Sequence, residues 1–483
     1  MRSAFILSLA LLAGCASSPG YRSPALQVPA SFREVSDTSG VTPHVVTPHV
    51  LAPGPEPRAP GPRSQAPGPD YWEQLGDTTL DRLIAEVVRA NQDVQAAEAR
   101  VRATRSERVR TLLDLTPDTR LTGSYARQRL SSSSFPGFAS SFPDQNIWDA
   151  GVSAAWDLDV FGQIRQTAQA RGAMVGAAQA ELRDVQVSLT AELALTYFEL
   201  RGAQEQLSVA RENAENQRRT FEITRQRLDA GRGSAFDTER AQAQLSSTLA
   251  EIPAREAQVA TAQYRIGVLV GRAPAAVAAE LEQPARVPAL PDVASMGNPE
   301  AIVRDRPDVT AAERQAAAQG ALVGAAKASY LPKISIGGSA GYVAPEIRTV
   351  GAQGTLRYAV GPVISWPLLS LGRVKADVDA AQAGEDEARA RYRAVVLRAM
   401  QDLEVSISQY RAARLRVDRL QEASAASQHA AELALLRFKE GATDLLQVLD
   451  AQRTQLEAQD RLAQARIDAG TAYAALFRAT GGR

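Results

Sequence analysis

Few residues in this chain of 483 are equipped for covalent or ionic chemistry. It has a single cysteine, Cys15, and three histidines. His44 and His49 sit in a Pro-rich stretch, and only His429 lies beyond it. No His/Cys/carboxylate cluster has metal-ligand spacing, and no Gly-rich loop is placed to cradle a phosphate. The chain therefore reads as a non-enzyme that needs no cofactor or metal. A lone thiol in an exported chain has no internal disulfide partner, so a covalent lipid on Cys15 is favoured over a free or intermolecular thiol. The other candidate positions are glycines, hydroxyls and carboxylates at two places: Gly231, Ser234 and Asp237, then Gly441, Thr443 and Asp450. These are turn formers and charges, and their meaning depends on what positions them.

The N-terminus supplies an address. Arg2 precedes the apolar run Phe5 to Leu12, a short secretory signal. Leu12-Ala13-Gly14-Cys15 resembles a bacterial lipobox, which implies removal of residues 1–14 and acylation of Cys15. Ala16, rather than Asp, follows the cysteine and implies sorting to the outer membrane. Several acyl chains make a stable anchor in membrane lipid. Residues 15–70 then read as an extended tether, holding about half of the 26 prolines. Thr42-Pro43-His44-Val45 recurs there as Thr47-Pro48-His49-Val50, a low-complexity repeat in preference to a metal site.

Lys+Arg and Asp+Glu are both 54, so no basic footprint for nucleic acid exists. Aromatics are only 5%, which suits long helices with narrow seams better than one thick core. After the signal no apolar run reaches the roughly 20 residues of a membrane-spanning helix. The dominant feature is a duplication. Trp156/Trp366, Gly162/Gly372, Gly231/Gly441 and Gly271/Gly481 are each 210 apart (366 − 156, 372 − 162, 441 − 231, 481 − 271). Earlier in each copy, Asp93/Asp308 and Pro117/Pro332 are 215 apart (308 − 93, 332 − 117), so five residues are missing from the second inter-strand loop.

The first copy covers 71–271. Asp77 caps a helix expected to run unbroken to about Thr116 and stop at Pro117. Leu121, Gly123 and Tyr125 alternate with polar residues, and so do Trp148 to Leu158, which predicts two strands. The period then changes at about Gln163, and a helix of roughly 65 residues, about 100 Å long, is expected up to Leu228. Gly231 turns it, Asp237 is the expected cap of the return helix, and Pro253 predicts a kink or break there. A Pro-rich linker, 272–298, is expected to cross the surface. The second copy, 299–481, repeats the order, with strands around Ile334–Tyr342 and Leu356–Trp366. Pro362 predicts an edge or bulge in the last strand. Tyr392, Val396, Leu403, Ile407 and Tyr410 mark the second long seam, which turns at Gly441.

Four strands with one apolar face cannot close a membrane barrel alone, because open edges leave amides unpaired in lipid. A shared barrel in a homo-oligomer follows. The charged helices cannot enter lipid and must stand in water below it. At this point the chain resembles the TolC-type outer membrane efflux channels, in their lipoprotein branch. The matching residues are Tyr71-Trp72, Asn91-Gln92-Asp93-Val94, Arg306-Pro307-Asp308-Val309, Tyr330-Leu331-Pro332, Trp156 with Phe161-Gly162, and both glycine turns. The resemblance implies an α+β membrane fold. Three chains form one twelve-stranded β-barrel, continued by a long α-helical coiled-coil tunnel in the periplasm. It also implies a homotrimer that works with a periplasmic adaptor and an inner-membrane resistance-nodulation-division transporter to expel drugs. An exit duct for ABC-type protein or toxin secretion is the alternative. By resemblance Leu446, Asp450 and Asp237 form the periplasmic gate, and Gly231, Ser234, Gly441 and Thr443 the adaptor-contacting tips. Simple helix starts, seam packing and turn chemistry are the plainer readings of the same residues. Phe438, Thr443 and Gln447 depart from the hydrogen-bonding latch of some relatives, which implies a closed end that relies on packing around Leu446.

Overall fold

Two copies of one strand–helix order run along the chain. The computed structural model describes residues 70–129, 143–292 and 298–482. Cys15, the signal and the tether up to residue 69 lie outside the described residues. In the first copy α1 (Asp70–Glu73), α2 (Thr78–Ala90) and α3 (Gln92–Leu113) lead to β1 (Asp118–Gln128) and β2 (Gln145–Asp157). Helices α4 (Gln163–Asp229) and α5 (Ala235–Leu269) follow, then α6 (Pro274–Glu280) between the copies. The second copy holds α7 (Pro299–Asp305), α8 (Pro307–Ala328), β3 (Lys333–Ala344), β4 (Leu356–Ser365), α9 (Leu371–Lys439) and α10 (Leu445–Ala479). The described residues fall into two compact units. One holds Arg100–Gln179 with Ala311–Arg393; the other holds 70–99, Ala180–Thr310 and 394–482.

The first unit contains the sheet, antiparallel throughout in the order β1-β2-β3-β4. Each strand pairs with its neighbour without a bulge, from Asp118↔Ala155 through to Lys333↔Ser365. Pro362 lies on β4, the last strand of the sheet within one chain, and its pairing with Ile336 shows no bulge.

In the second unit the helices pack at very short range. α4 has 67 residues, about 100 Å, and around Val187–Leu200 it is buried on nearly every side. A Cβ on Gly470 of α10 would lie 2.4 Å from Phe198 Cγ of α4, and one on Gly202 would lie 2.0 Å from Ile467 Cγ1. Only glycine admits this approach, and the two long elements pack through it. Val396, Leu403, Ile407 and Tyr410 are buried along α9, as the periodicity required. Tyr71 and Tyr473 stack at 4.6 Å, and each hydroxyl donates to the other's carbonyl at 3.0 Å. Trp72 is buried against Phe477.

Three expectations need correction. First, the helix capped by Asp77 does not run unbroken to Thr116. It stops at Ala90, because Asn91 takes an extended backbone, with ψ 139. Its side chain restarts the next helix: Oδ1 accepts from Asp93 N at 2.7 Å, and Nδ2 donates to Leu269 O at 2.9 Å. Arg306, the repeat equivalent, also has extended backbone and reaches Ala479 O at 3.0 Å. Second, of the kink or break expected at Pro253, the break does not occur, since α5 continues past it. The proline is on the exposed face, where water can serve the carbonyl it displaces. Third, the linker crosses the surface with most of its described residues exposed, yet it is pinned at a few points. Val277 and Leu281 are buried. The Leu281 carbonyl accepts from Gln204 and Gln263, and the Gln283 carbonyl accepts from Arg201. Tyr410 donates to Pro291 O, and burial pushes its phenol up to about 12.

Candidate functional site

The sheet has two chemically different faces. One carries Leu121, Val152, Ala340 and Tyr358 in a cross-strand row, with Trp156, Ile336 and Pro362 in another. Its large side chains are exposed: Leu121 is 82% exposed, Tyr358 78% and Val360 77%. Apolar surface on this scale is not left to water. The opposite face is polar and its charges are paired. Asp149 of β2 reaches Arg357 of β4 at 2.6 Å, across Gly341 of β3, which has no side chain to intervene. Asp157 meets Lys333 at 2.8 Å, and Asp118 lies 3.5 Å from Arg120. Below the strands, Trp156 Nε1 donates to Leu115 O at 2.8 Å and Trp366 Nε1 to Tyr330 O at 3.0 Å. Each donor and each acceptor is repeat-equivalent, so the duplicated tryptophans anchor both helix-to-strand crossings. Interfacial indoles suit the boundary between lipid and water.

The other region is the pair of helix turns. Gly231 (φ +68) and Gly441 (φ +74) adopt the left-handed conformation that lets the chain leave α4 and α9. The same six-to-one bond closes each turn, Arg232 N to Arg227 O and Ala442 N to Arg437 O, both 2.8 Å. The next helix starts on Ser234 in the first copy, whose hydroxyl accepts from Phe236 N at 3.1 Å. In the second copy it starts on Asp444, which accepts from Gln447 N at 3.1 Å. The expected cap Asp237 is therefore displaced by Ser234 and sits in the first turn, where a carboxylate complements the helix dipole. Thr443 Oγ1 donates to Gln447 Oε1 within the second turn.

The register of 210 persists through both turns and sorts the gate candidates. Leu446 corresponds to Phe236; they are 50% and 68% exposed. Leu446 is thus not a seam residue within its own chain. Its neighbours Leu445, Val448 and Leu449 fill that role, packed with Ala241 and Phe438. Asp450 is exposed and pairs with Arg453 at 3.0 Å. Its repeat partner is Arg240, whereas Asp237 matches Gln447, so the two acids are not equivalent by duplication. Phe236, with Arg240 5.7 Å from its ring, escaped the sequence reading. The duplication itself was the signal that could have found it.

The decisive comparison follows from these parts. The family model described as outer membrane efflux protein matches residues 83–272 and 299–482. The chain belongs to that family. Nodulation protein T of Rhizobium leguminosarum bv. trifolii is 27% identical over 478 residues, covering 98% of this chain and 95% of its own. The toluene efflux pump outer membrane protein TtgC of Pseudomonas putida is 28% identical, covering 99% and 95%. Among solved structures, the outer-membrane channel OprN superposes with a TM-score of 0.84 at 34% identity, over 97% of this chain and 99% of that one. This efflux protein is therefore an outer membrane protein of the duplicated strand–helix class, in which trimeric channels share one barrel. Its relatives are channels.

Proposed function

We propose that this outer membrane efflux protein is the passive exit duct of a tripartite system that expels small toxic compounds. One observation carries the reading. The chain exposes an apolar sheet face with two unpaired edges, and none of its described helices is long and apolar enough to cross a membrane. Lipid must cover that face, and other copies must pair those edges. Three chains supply twelve strands, with the paired charges of the other face turned to the water-filled lumen. The lipobox at Cys15 favours the drug-export branch over the ABC-type secretion route. Cys15 carries the lipid, and the intact mass of the mature chain tests this: it exceeds that of unmodified residues 15–483 by the mass of the whole attached lipid, glyceryl and acyl parts together. A bare thiol would refute it.

The glycine turns are the end that meets a periplasmic adaptor and, through it, an inner-membrane resistance-nodulation-division pump. Gly231, Ser234, Gly441 and Thr443 shape that contact. Leu446 of three chains forms an apolar constriction, with Asp450 and Asp237 adding carboxylates that attract cations. Recording from the purified trimer in planar bilayers tests the duct, and a water-soluble monomer that inserts nowhere would overturn it. Leu446→Ala should raise the unitary conductance severalfold. Since Leu446 is half exposed and contributes little to its own core, folding should survive the change. An unchanged conductance would remove Leu446 from the constriction.

A further inference from the structure

A polar seam in the second unit ends at the glycine turns. On α4 the residues Gln206, Asn213, Thr220 and Arg227 recur every seven positions (213 − 206, 220 − 213, 227 − 220). Each makes a hydrogen bond away from its own helix. Gln206 accepts from Arg255 at 2.9 Å, and that guanidinium also pairs with Asp460 of α10 at 2.9 Å. Asn213 donates to Gln459 Oε1 of α10 at 2.8 Å, and Thr220 Oγ1 accepts from Gln452 of α10 at 2.9 Å. Gln206, Asn213, Thr220 and Gln452 are buried. A buried polar residue on a helical seam fixes axial register, since sliding would leave its partner unsatisfied.

Arg227 is the last member and differs in kind. Its guanidinium lies 4.2 Å over the Phe438 ring, and its Nη2 donates to Phe438 O at 2.8 Å and Lys439 O at 3.4 Å. It thus stacks on the final aromatic of α9 and caps that helix's last carbonyls in one contact. The contact runs one way. In the repeat register Arg227 matches Arg437, which is exposed, and Phe438 matches Leu228. Phe438 is buried with Leu445, Val448 and Leu449 of α10, the turn of helix that also carries Leu446 and Asp450.

We propose that Arg227 is the positioning residue that fixes the second helix turn, and with it Leu446 and Asp450, against the first. Its consequence for current rests on the exit-duct reading above; its consequence for geometry does not. The test uses the full-length trimer in lipid nanodiscs, with spin labels at Arg232 and Ala442. Labelled chains are diluted with unlabelled ones, so that each measured pair lies in one protomer. Conductance is recorded in parallel. Arg227→Ala should lengthen and broaden the turn-to-turn distance and raise the conductance. Arg227→Lys, which keeps the charge without the planar fork, should fall between. Phe438→Leu should act in the same direction, and adding Arg227→Ala to it should change little more. Arg225→Ala, an exposed charge two residues away, should do nothing. A wild-type distance in Arg227→Ala, an equal effect from Arg225→Ala, or additive effects in the double variant would each overturn the proposal. Distances that respond while no variant passes current would uphold the clasp and refute the duct.

Discussion

Replacing Arg306 by alanine should lower the thermal stability of the assembled protein more than any other single charge removal described above. Arg306 is 7% exposed and has five hydrogen bonds. Two go to Asp308, at 3.0 and 2.7 Å, and one to Asp402 at 3.3 Å. The others reach Ala399 O at 3.3 Å and Ala479 O at 3.0 Å. Burial pulls this guanidinium toward deprotonation, and the Asp308 bond, reinforced by the charge of both carboxylates, more than reverses that. Deleting it strands the Ala479 carbonyl at the end of α10, takes a second donor from the helical Ala399 carbonyl, and removes the cation that both acids face. Breaking a buried pair from one side costs about 3–5 kcal/mol. Asp308 and Asp402 are partly exposed and regain some water, so the loss should lie near the lower end, about 3 kcal/mol. Arg304→Ala is the control. Its pair with Glu300 is exposed on both sides and should contribute less than about 1 kcal/mol. Heating until the folded trimer is lost on native gels compares them. Equal melting of Arg306→Ala and Arg304→Ala would show that the buried network is dispensable.

Gly441→Trp should abolish pump-dependent resistance at normal abundance of the protein. Two effects must be separated. Any side chain at φ +74 is strained, at a cost of about 1 kcal/mol for alanine. Bulk is a different matter: a Cβ at Gly441 would meet no atom within 4 Å, so the chain itself has room. Gly441→Ala should therefore keep most of the resistance, while Gly441→Trp, with the same strain and a large ring, should lose it through collision with the adaptor. Susceptibility of a host carrying the matching pump and adaptor reads this out. Resistance retained in Gly441→Trp would remove the second turn from the docking surface, and equal loss in both variants would assign the effect to strain.

Much of this architecture was legible in the residues, because its long elements repeat simple periods. Alternation at Leu121–Tyr125 and Trp148–Leu158 matched the two strands, and the 210-residue offset carried the same reading to β3 and β4. The break at Asn91 was missed because no proline marks it in the first copy. Pro307, opening α8 after Arg306, was the available sign once the 215 offset was applied. Ser234 lost to Asp237 as the expected cap, although the serine directly follows the glycine turn and has a carboxylate three residues on, a capping-box arrangement. The seam of Gln206, Asn213, Thr220 and Arg227 escaped because periodicity was sought in apolar residues alone. The exposure of Leu446 depends on which side of α10 meets Phe438, and single-chain spacing cannot settle that.

The stacked tyrosines have a consequence for the order in which the molecule is completed. Tyr71 and Trp72 stand at the beginning of the described chain, yet their partners Tyr473 and Phe477 come 402 residues or more later. During synthesis and export the early segment waits with its indole uncovered until the closing helix arrives. A polypeptide cut short before Tyr473 would leave Trp72, 2% exposed in the finished protein, open to water and to periplasmic proteases. The last helix to emerge therefore decides whether the first aromatic residues are ever sheltered.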